Sequence, residues 1–217
     1  MALPPIIEKK QRDWLFKVIE QQSKQPERDM CLMAFFFMSA CTTLQINMIE
    51  VKDVLHKTTG KLNKEFTVKG TGHTFYLVNN YLCKLTYEYL QYRVKNKICM
   101  GTEPSEFLGL SPNEPLFISS SSKGETNGFS VVKKITSSGN ESFTCNALNR
   151  HLKTLMQLAG VEGSILSGRR TLAVNLFRKG YDLAHIHSIL ANKTLETTQK
   201  IITTDTIDMA RIAKDAF

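Results

Sequence analysis

Hydrophobic residues in the first hundred positions recur with the spacing of helices that bury one face. Residues 8–22 predict an amphipathic helix, with one apolar side formed by Trp14, Leu15, Val18 and Ile19. Residues 30–40 are apolar on every side, which predicts a fully buried helix. Apolar residues within 79–94 again recur at helical spacing, with core positions at Tyr81, Leu82, Leu85, Tyr89 and Leu90.

The period changes to that of strands between residues 66 and 77. Phe66 and Val68 alternate with polar residues, and so do Phe75 and Leu77 after a glycine-rich turn at residues 70–72. The pattern predicts a β-hairpin whose tip carries Lys69 and His73.

The second half of the chain begins with a long connection and ends in helices. Residues 101–128 are rich in Gly, Pro, Ser and Asn, with a short extended piece expected at 116–118 and a short strand at 129–135. Helices follow at about 145–158, 169–178, 183–190, 195–202 and from 205 onwards, with predicted N-caps at Thr144, Asp182, Thr194 and Asp205. The fold class is therefore α+β and mostly helical, with a small antiparallel hairpin.

Composition narrows the class of protein. The chain has 217 residues and 42% hydrophobic residues, which excludes a disordered linker and allows one compact domain or two small ones. No apolar run is long enough for a membrane span, and no secretory signal precedes the first helix. The five cysteines are widely spaced without a CxxC pair, so we expect free thiols in the cytoplasm, with neither metal nor cofactor.

Positive charge is concentrated around the predicted hairpin. The formal net charge is +8, and residues 52–97 hold nine basic residues against three acidic ones. A lysine-rich face is often plain solvated surface, but next to a hairpin it also suits a surface that follows a phosphate backbone. Charge alone leaves both interpretations open.

A more specific pattern lies in the C-terminal helices. It consists of Ser167-Gly168-Arg169-Arg170-Thr171, then Gly180-Tyr181-Asp182-Leu183, then Ile189-Leu190-Ala191-Asn192-Lys193, then Glu196-Thr197-Thr198-Gln199. This string resembles the catalytic domain of the tyrosine recombinases, the phage-integrase family. That family has a His-x-x-Arg-x-Thr motif, a Gly-x-Asp-Leu helix start, a Leu-Gly-His turn and a Thr-Thr pair shortly before its tyrosine nucleophile.

The resemblance covers about residues 8–217. Residues 39–54 have the length of the family's first-arginine helix, residues 66–77 fall on its lysine-bearing hairpin, and Pro115-Leu116-Phe117 matches a common family tripeptide. The resemblance implies a tyrosine-recombinase catalytic-domain fold, a single domain over residues 1–217, and double-stranded DNA as the partner. We expect the family's separate N-terminal domain to be absent, so half of its DNA clamp would be missing and binding would be weak and salt-dependent.

The resemblance also implies where the catalytic groups would lie. Arg169 falls on the second arginine that neutralises the scissile phosphate, and Lys69 on the hairpin lysine, with Lys64 as a competing choice. The remaining catalytic positions carry residues that differ from those of the family. They are Thr42 for the first arginine, Gln45 for its acidic neighbour, Leu166 and Asn192 for the two histidines, and Ile201 for the tyrosine.

These replacements predict a recombinase fold whose cleavage site is lost. Isoleucine cannot attack phosphorus, leucine cannot transfer a proton, and threonine offers no bidentate charge. Thr203 and Thr204 are hydroxyls close to the nucleophile position, but no general base activates them. Three hypotheses remain: a non-cleaving DNA-binding accessory, regulatory or segregation factor of a mobile element, phage or prokaryotic genome, a divergent active recombinase, and an interaction module that pairs with recombinases.

The predicted DNA-binding residues are Lys69, Arg169, Arg170, Thr171, Asn192 and Lys193. Each has a structural alternative. Arg169 can contact a phosphate at a helix start or be a buried structural group, Lys69 can be a solvated turn residue, and Asn192 can bind phosphate or cap its turn. Residues 205–217, with an apolar stripe, are expected to contact a second copy or a recombinase partner, or to fold back on the same chain.

Overall fold

A single buried helix, α2 (Pro26–Met38), organises the fold. The computed structural model describes residues 3–70, 72–120, 126–135, 139 and 141–202. In the order of the chain, the other helices are α1 (Lys9–Gln22), α3 (Thr43–Met48), α4 (Val51–Val54), α5 (Asn80–Lys95), α6 (Asn146–Leu158), α7 (Ser167–Arg178), α8 (Leu183–Leu190) and α9 (Leu195–Ile202), with a 3₁₀ turn at Phe107–Gly109.

The strands form three separate antiparallel pairs. The first pair is β1 (Glu65–Thr67) with β2 (Thr74–Tyr76), and Phe66 lies opposite Phe75. The second pair is β3 (Ser119–Ser120) with β4 (Thr126–Asn127), and the third is β5 (Val132–Ile135) with β6 (Glu141–Thr144). The β1–β2 pair confirms the predicted hairpin, and the whole arrangement confirms the α+β, mostly helical class.

The main core surrounds α2 because that helix is apolar on all sides. Helices α1, α5 and α7 pack against it. Phe35 in the middle of α2 meets the Phe117 ring edge-on at 5.3 Å, which brings the long connection into the core. Leu116, Phe117 and Ile118 are buried, as the predicted extended piece requires.

Helices α7, α8 and α9 form a second, smaller core at the C-terminal end of the described chain. Its buried members are Ala40, Ala173, Ile186, Leu190 and Ile202. Ala40 reaches this core because its left-handed backbone (φ 62°) turns the chain sharply after α2. The predicted caps of α8 and α9 are confirmed: Asp182 accepts the His185 amide at 2.8 Å, and Thr194 accepts the Thr197 amide at 3.2 Å.

Four local predictions were wrong. The sequence placed Trp14 and Tyr81 on buried helix faces, but both are exposed. Trp14 is 57% exposed, and its indole N–H donates to the Ala159 carbonyl at 3.1 Å. The helix expected over residues 39–54 is broken into α3 and α4. Thr144 ends strand β6, and Cys145 occupies the N-cap of α6 without a capping side chain.

Two sequence predictions lie outside the described residues. They are the helix from Asp205 with its partner-contacting stripe, and the hydroxyls of Thr203 and Thr204. Within the described ranges, none of the helices has the length and apolar character needed to cross a bilayer.

Candidate functional site

Arg169 lies in the first turn of α7 and reaches across to the end of α8. Its Nη2 donates to the Leu190 carbonyl at 2.6 Å and to Asn192 Oδ1 at 2.7 Å. Helix α8 stops at Ala191 in the left-handed conformation (φ 49°), so the chain turns and presents both acceptors to the same guanidinium nitrogen. Arg169 therefore fixes the turn between α8 and α9.

A chain of hydrogen bonds continues from Asn192 into the protein. The Asn192 Nδ2 group donates to Thr198 Oγ1 at 2.8 Å, and that hydroxyl lies 3.0 Å from His187 Nδ1. Since the hydroxyl accepts from Asn192, its own proton is free to be donated to His187 Nδ1. This network sets the orientation of the Asn192 amide, with its oxygen towards Arg169. Sequence analysis placed Thr198 in the motif string but predicted no site role for Thr198 or His187.

The buried Cys41 thiol interacts electrostatically with Arg169. Burial raises the pKa of the Cys41 thiol to about 12, and the Ser39 hydrogen bond and the Arg169 charge only partly oppose this effect. Burial also lowers the pKa of Arg169. Because the thiolate is the nucleophilic form, Cys41 is unreactive at neutral pH.

Thr42 and Gln45 bind each other. Thr42 is the N-cap of α3: its hydroxyl accepts the Gln45 amide at 3.2 Å, and its own amide donates to Gln45 Oε1 at 2.7 Å. This reciprocal capping box satisfies two amides at the start of the helix. The two positions that the resemblance assigns to the first arginine and its acidic neighbour therefore stabilise a helix end.

Leu166 and Ile201 are apolar residues at two further positions of the expected site. Leu166 is 59% exposed just before α7. Ile201 lies in the last turn of α9, and its backbone carbonyl accepts Arg170 Nε at 3.2 Å. Neither side chain can accept a proton or attack phosphorus.

Arg170 and Thr171 are interior residues, which corrects their assignment to the DNA-binding set. Arg170 is buried and also donates to the Pro4 carbonyl, so it ties the N-terminal segment and α9 to α7. Thr171 is fully buried, and its hydroxyl accepts the Ile7 amide at 3.0 Å. Because buried polar groups with satisfied hydrogen bonds are not available to a ligand, we assign both residues a structural role.

Lys69 and Lys193 are exposed. Lys193 follows Asn192 directly, so its position is fixed by the Arg169 contact. Lys69 lies in the loop that joins β1 to β2, and Lys64 is exposed just before β1. Within the described part of the chain, no recorded contact joins either hairpin lysine to Arg169.

The resulting site combines the cations Arg169 and Lys193 with neutral hydrogen-bonding groups. Arg169 offers further N–H donors besides Nη2, and Asn192 and Lys193 lie beside it. The nearest hydroxyl of the network, Thr198, is fully buried. No cluster of three metal-ligating side chains occurs in the described ranges. The arrangement suits binding of an anionic oxygen better than covalent chemistry.

Comparison with solved structures identifies the fold. The chain superposes on the XerA recombinase with a TM-score of 0.70 at 14% identity, covering 99% of this chain and 64% of XerA. It superposes on the XerH recombinase bound to palindromic difH substrate with a TM-score of 0.60 at 15% identity, covering 98% of this chain and 53% of XerH. It superposes on the Tn1549 integrase bound to transposon right-end DNA with a TM-score of 0.58 at 12% identity, covering 100% of this chain and 66% of the integrase.

These likenesses confirm the tyrosine-recombinase catalytic-domain fold expected from the sequence. No protein-family model matches the sequence, and no curated protein resembles it. The chain spans about two thirds or less of the length of the recombinases it superposes on. At such low identities, the fold is what the comparison establishes.

Proposed function

We propose that this chain, which has the tyrosine-recombinase catalytic-domain fold, binds double-stranded DNA without cleaving it. The observation that carries the proposal is the fixed guanidinium of Arg169, which the resemblance assigns to the second arginine, together with isoleucine at position 201, which the resemblance assigns to the nucleophile. The proposed contact residues are Arg169, Asn192 and Lys193, together with Lys69 on the hairpin.

Three observations support DNA as the partner. The XerH and Tn1549 proteins of the same fold are solved in complexes with DNA. The net charge of +8 favours a polyanion, and its excess lies around the β1–β2 hairpin. The Arg169 guanidinium, held by Leu190 and Asn192, keeps donors for the bidentate hydrogen bonds that arginine makes to phosphate.

The absence of cleavage rests on the groups that occupy the expected catalytic positions. Phosphoryl transfer through a tyrosine needs a nucleophile, a proton donor for the leaving oxygen and paired arginines. Ile201 and Leu166 carry none of these groups, and Thr42 is committed to capping α3. Losing a single member of such a set commonly costs several orders of magnitude in rate, and here several are replaced together.

The biological role that follows is an accessory, regulatory or segregation factor in DNA recombination or integration. Such a factor occupies the DNA site or modulates an active recombinase, and its activity is binding alone. We propose a DNA-associated location in the cytoplasm of a prokaryote or phage-infected cell, consistent with free cysteines.

Lys193→Ala is expected to weaken duplex binding several-fold because it removes one exposed cation beside Arg169. Each lysine–phosphate contact contributes about one unit to the slope of log affinity against log salt. The variant should therefore lose affinity uniformly across DNA sequences, and its salt slope should fall by about 1. Fluorescence anisotropy titrations at low and at near-physiological salt measure both quantities.

Lys10→Ala is the matched control because it removes the same charge from an exposed position on α1, outside the proposed surface. It should leave the affinity and the salt slope close to those of the wild type. Equal losses for the two variants would show that overall charge, and not the Arg169 surface, governs binding. A wild type that binds no duplex at low salt would refute the proposed function.

A further inference from the structure

The β5–β6 ribbon is exposed on both faces in the part of the chain that the structure describes. Every residue of β5 is exposed, and so are Glu141, Ser142 and Phe143 of β6. Ile135 is 67% exposed and Phe143 is 51% exposed. Because an isolated two-stranded hairpin is only marginally stable in water, such a ribbon is best explained by contact with another molecule.

The register of the strands gives the ribbon two different faces. Val132 lies opposite Thr144 and Lys134 opposite Ser142, so Val132, Lys134 and Ser142 share what we call the lysine–serine face. The phenylalanine face carries Lys133, Ile135, Glu141 and Phe143. Within the described residues, no hydrogen bond or ion pair engages the side chains of Lys134 or Ser142, whereas Lys133 pairs with Glu141 at 2.6 Å.

The chain just before the ribbon is hydrogen-bonded to α3, and the other end of that short helix lies next to Cys41, which interacts with Arg169. Asn47, near the end of α3, donates to the Phe129 carbonyl at 2.9 Å and accepts the Phe129 amide at 3.1 Å. Thr42 caps the other end of α3, next to Cys41, which interacts with Arg169. Five residues of helix span about 7.5 Å. Phe129, three residues before β5, and Cys41 are therefore held at opposite ends of one short helix, a separation that a single duplex can span.

We propose that the β5–β6 ribbon enters the major groove of the bound duplex and reads base edges with Val132, Lys134 and Ser142. This inference rests on the proposed DNA-binding function. The major groove is about 12 Å wide and admits a two-stranded ribbon. Val132 and Lys134 are two residues apart on one strand, a rise of about 6.6 Å, which corresponds to about two base-pair steps.

The side chains of the lysine–serine face match the chemistry of the groove. Lysine donates to the O6 and N7 acceptors of guanine, serine can donate or accept, and a valine methyl suits the methyl group of thymine. The phenylalanine face is less suited to DNA because its ion pair is internally neutral and its apolar side chains offer no hydrogen bonds. Contact with a protein chain through that face is the competing explanation.

The test compares matched double variants of the two faces. The first is Lys134→Ala with Ser142→Ala, and the control is Ile135→Thr with Phe143→Thr, which keeps β-forming residues in the same strands. The probe is a set of duplexes of about three helical turns, selected by the wild-type protein from a random-sequence pool, with an unrelated duplex of equal length as reference. Circular dichroism and thermal melting of each variant confirm the fold.

The lysine–serine variant should bind the selected duplexes about tenfold or more weakly, and its preference over the unrelated duplex should shrink accordingly. The control variant should keep both quantities. Unchanged preference in the lysine–serine variant would overturn the inference while leaving the proposed function intact. Loss of self-association or partner binding in the control variant alone would also overturn the inference, because it would assign the ribbon to protein contact. Failure of the wild type to retain any duplex would overturn both proposals.

Discussion

Asp29→Asn is expected to lower the free energy of unfolding by about 3–5 kcal/mol, because it removes one partner of a buried ion pair. Asp29 Oδ1 accepts Arg28 Nε at 2.8 Å and lies 2.7 Å from His151 Nε2, while Oδ2 accepts the Ser23 hydroxyl at 2.5 Å. Arg28 also donates to the Ile118 carbonyl at 3.0 Å. The variant would leave a buried guanidinium beside a neutral amide that cannot accept from all three donors.

The loss should depend on pH in a defined direction. Burial acts to raise the pKa of Asp29, but the hydrogen bond from His151 and the charge of Arg28 outweigh it, so the net pKa is lowered. A carboxyl group with a depressed pKa stabilises the folded state above its unfolded pKa, about 3.9, and this stabilisation disappears as the pH falls through the folded value. Urea unfolding at several pH values should therefore show the largest difference from the wild type above about pH 4.

Glu27→Gln is the control for this prediction because it makes the same charge change two positions earlier in the same helical turn. Glu27 is half-buried, and no ion pair is recorded for it among the described residues. The Glu27→Gln variant should lower the free energy of unfolding by less than about 1 kcal/mol, the usual size of a helix-dipole contribution. A similar loss for both variants, or a difference that persists unchanged into strong acid, would contradict the account of Asp29.

Gly168→Ala is expected to destabilise the protein by about 3 kcal/mol, at the upper end of typical overpacking costs, and to weaken DNA binding. A Cβ at this position would lie 2.2 Å from the Phe36 carbonyl oxygen and 3.0 Å from the carbonyl carbon. These are backbone atoms of α2, so no side-chain rotation relieves the clash and α7 must move. Arg169 is the next residue and would move with it.

The control is Asn175→Ala, a half-buried position later in α7. Both changes raise intrinsic helix propensity, since alanine is the best helix former. Thermal melting should show a lower melting temperature for Gly168→Ala and an equal or slightly higher one for Asn175→Ala. A melting temperature of Gly168→Ala at or above that of the wild type would contradict the close approach of α2 and α7.

The sequence predicted the parts of the fold whose apolar residues follow a regular pattern. The apolar period located α1, α2, α5 and the helices after residue 145, and strand alternation located the β1–β2 hairpin. Asp182 and Thr194 were predictable caps because their side chains satisfy amides that are otherwise unpaired at a helix start. The motif string then placed Arg169 and Asn192, which the structure brings within 2.7 Å.

Other features of the structure could not be recognised from the sequence pattern alone. Successive residues of a helix point about 100° apart, so the run Arg169-Arg170-Thr171 splits between the site and the interior. Strand β5 falls within the short strand predicted at 129–135, but its partner β6 was missed, because the ribbon is exposed on both faces and its residues show no alternation of buried and exposed positions. Ala40 breaks the expected helix with a positive φ that nothing in its residue type predicts.

Binding without cleavage is the central claim, and a suicide-substrate experiment tests it most directly. Duplexes selected by the wild-type protein are nicked at successive positions, so that any cleavage releases a short fragment and traps a covalent adduct. The account predicts a retarded complex on native gels and no adduct under denaturing conditions, at any nick position. A covalent protein–DNA adduct through any residue of the chain would contradict it.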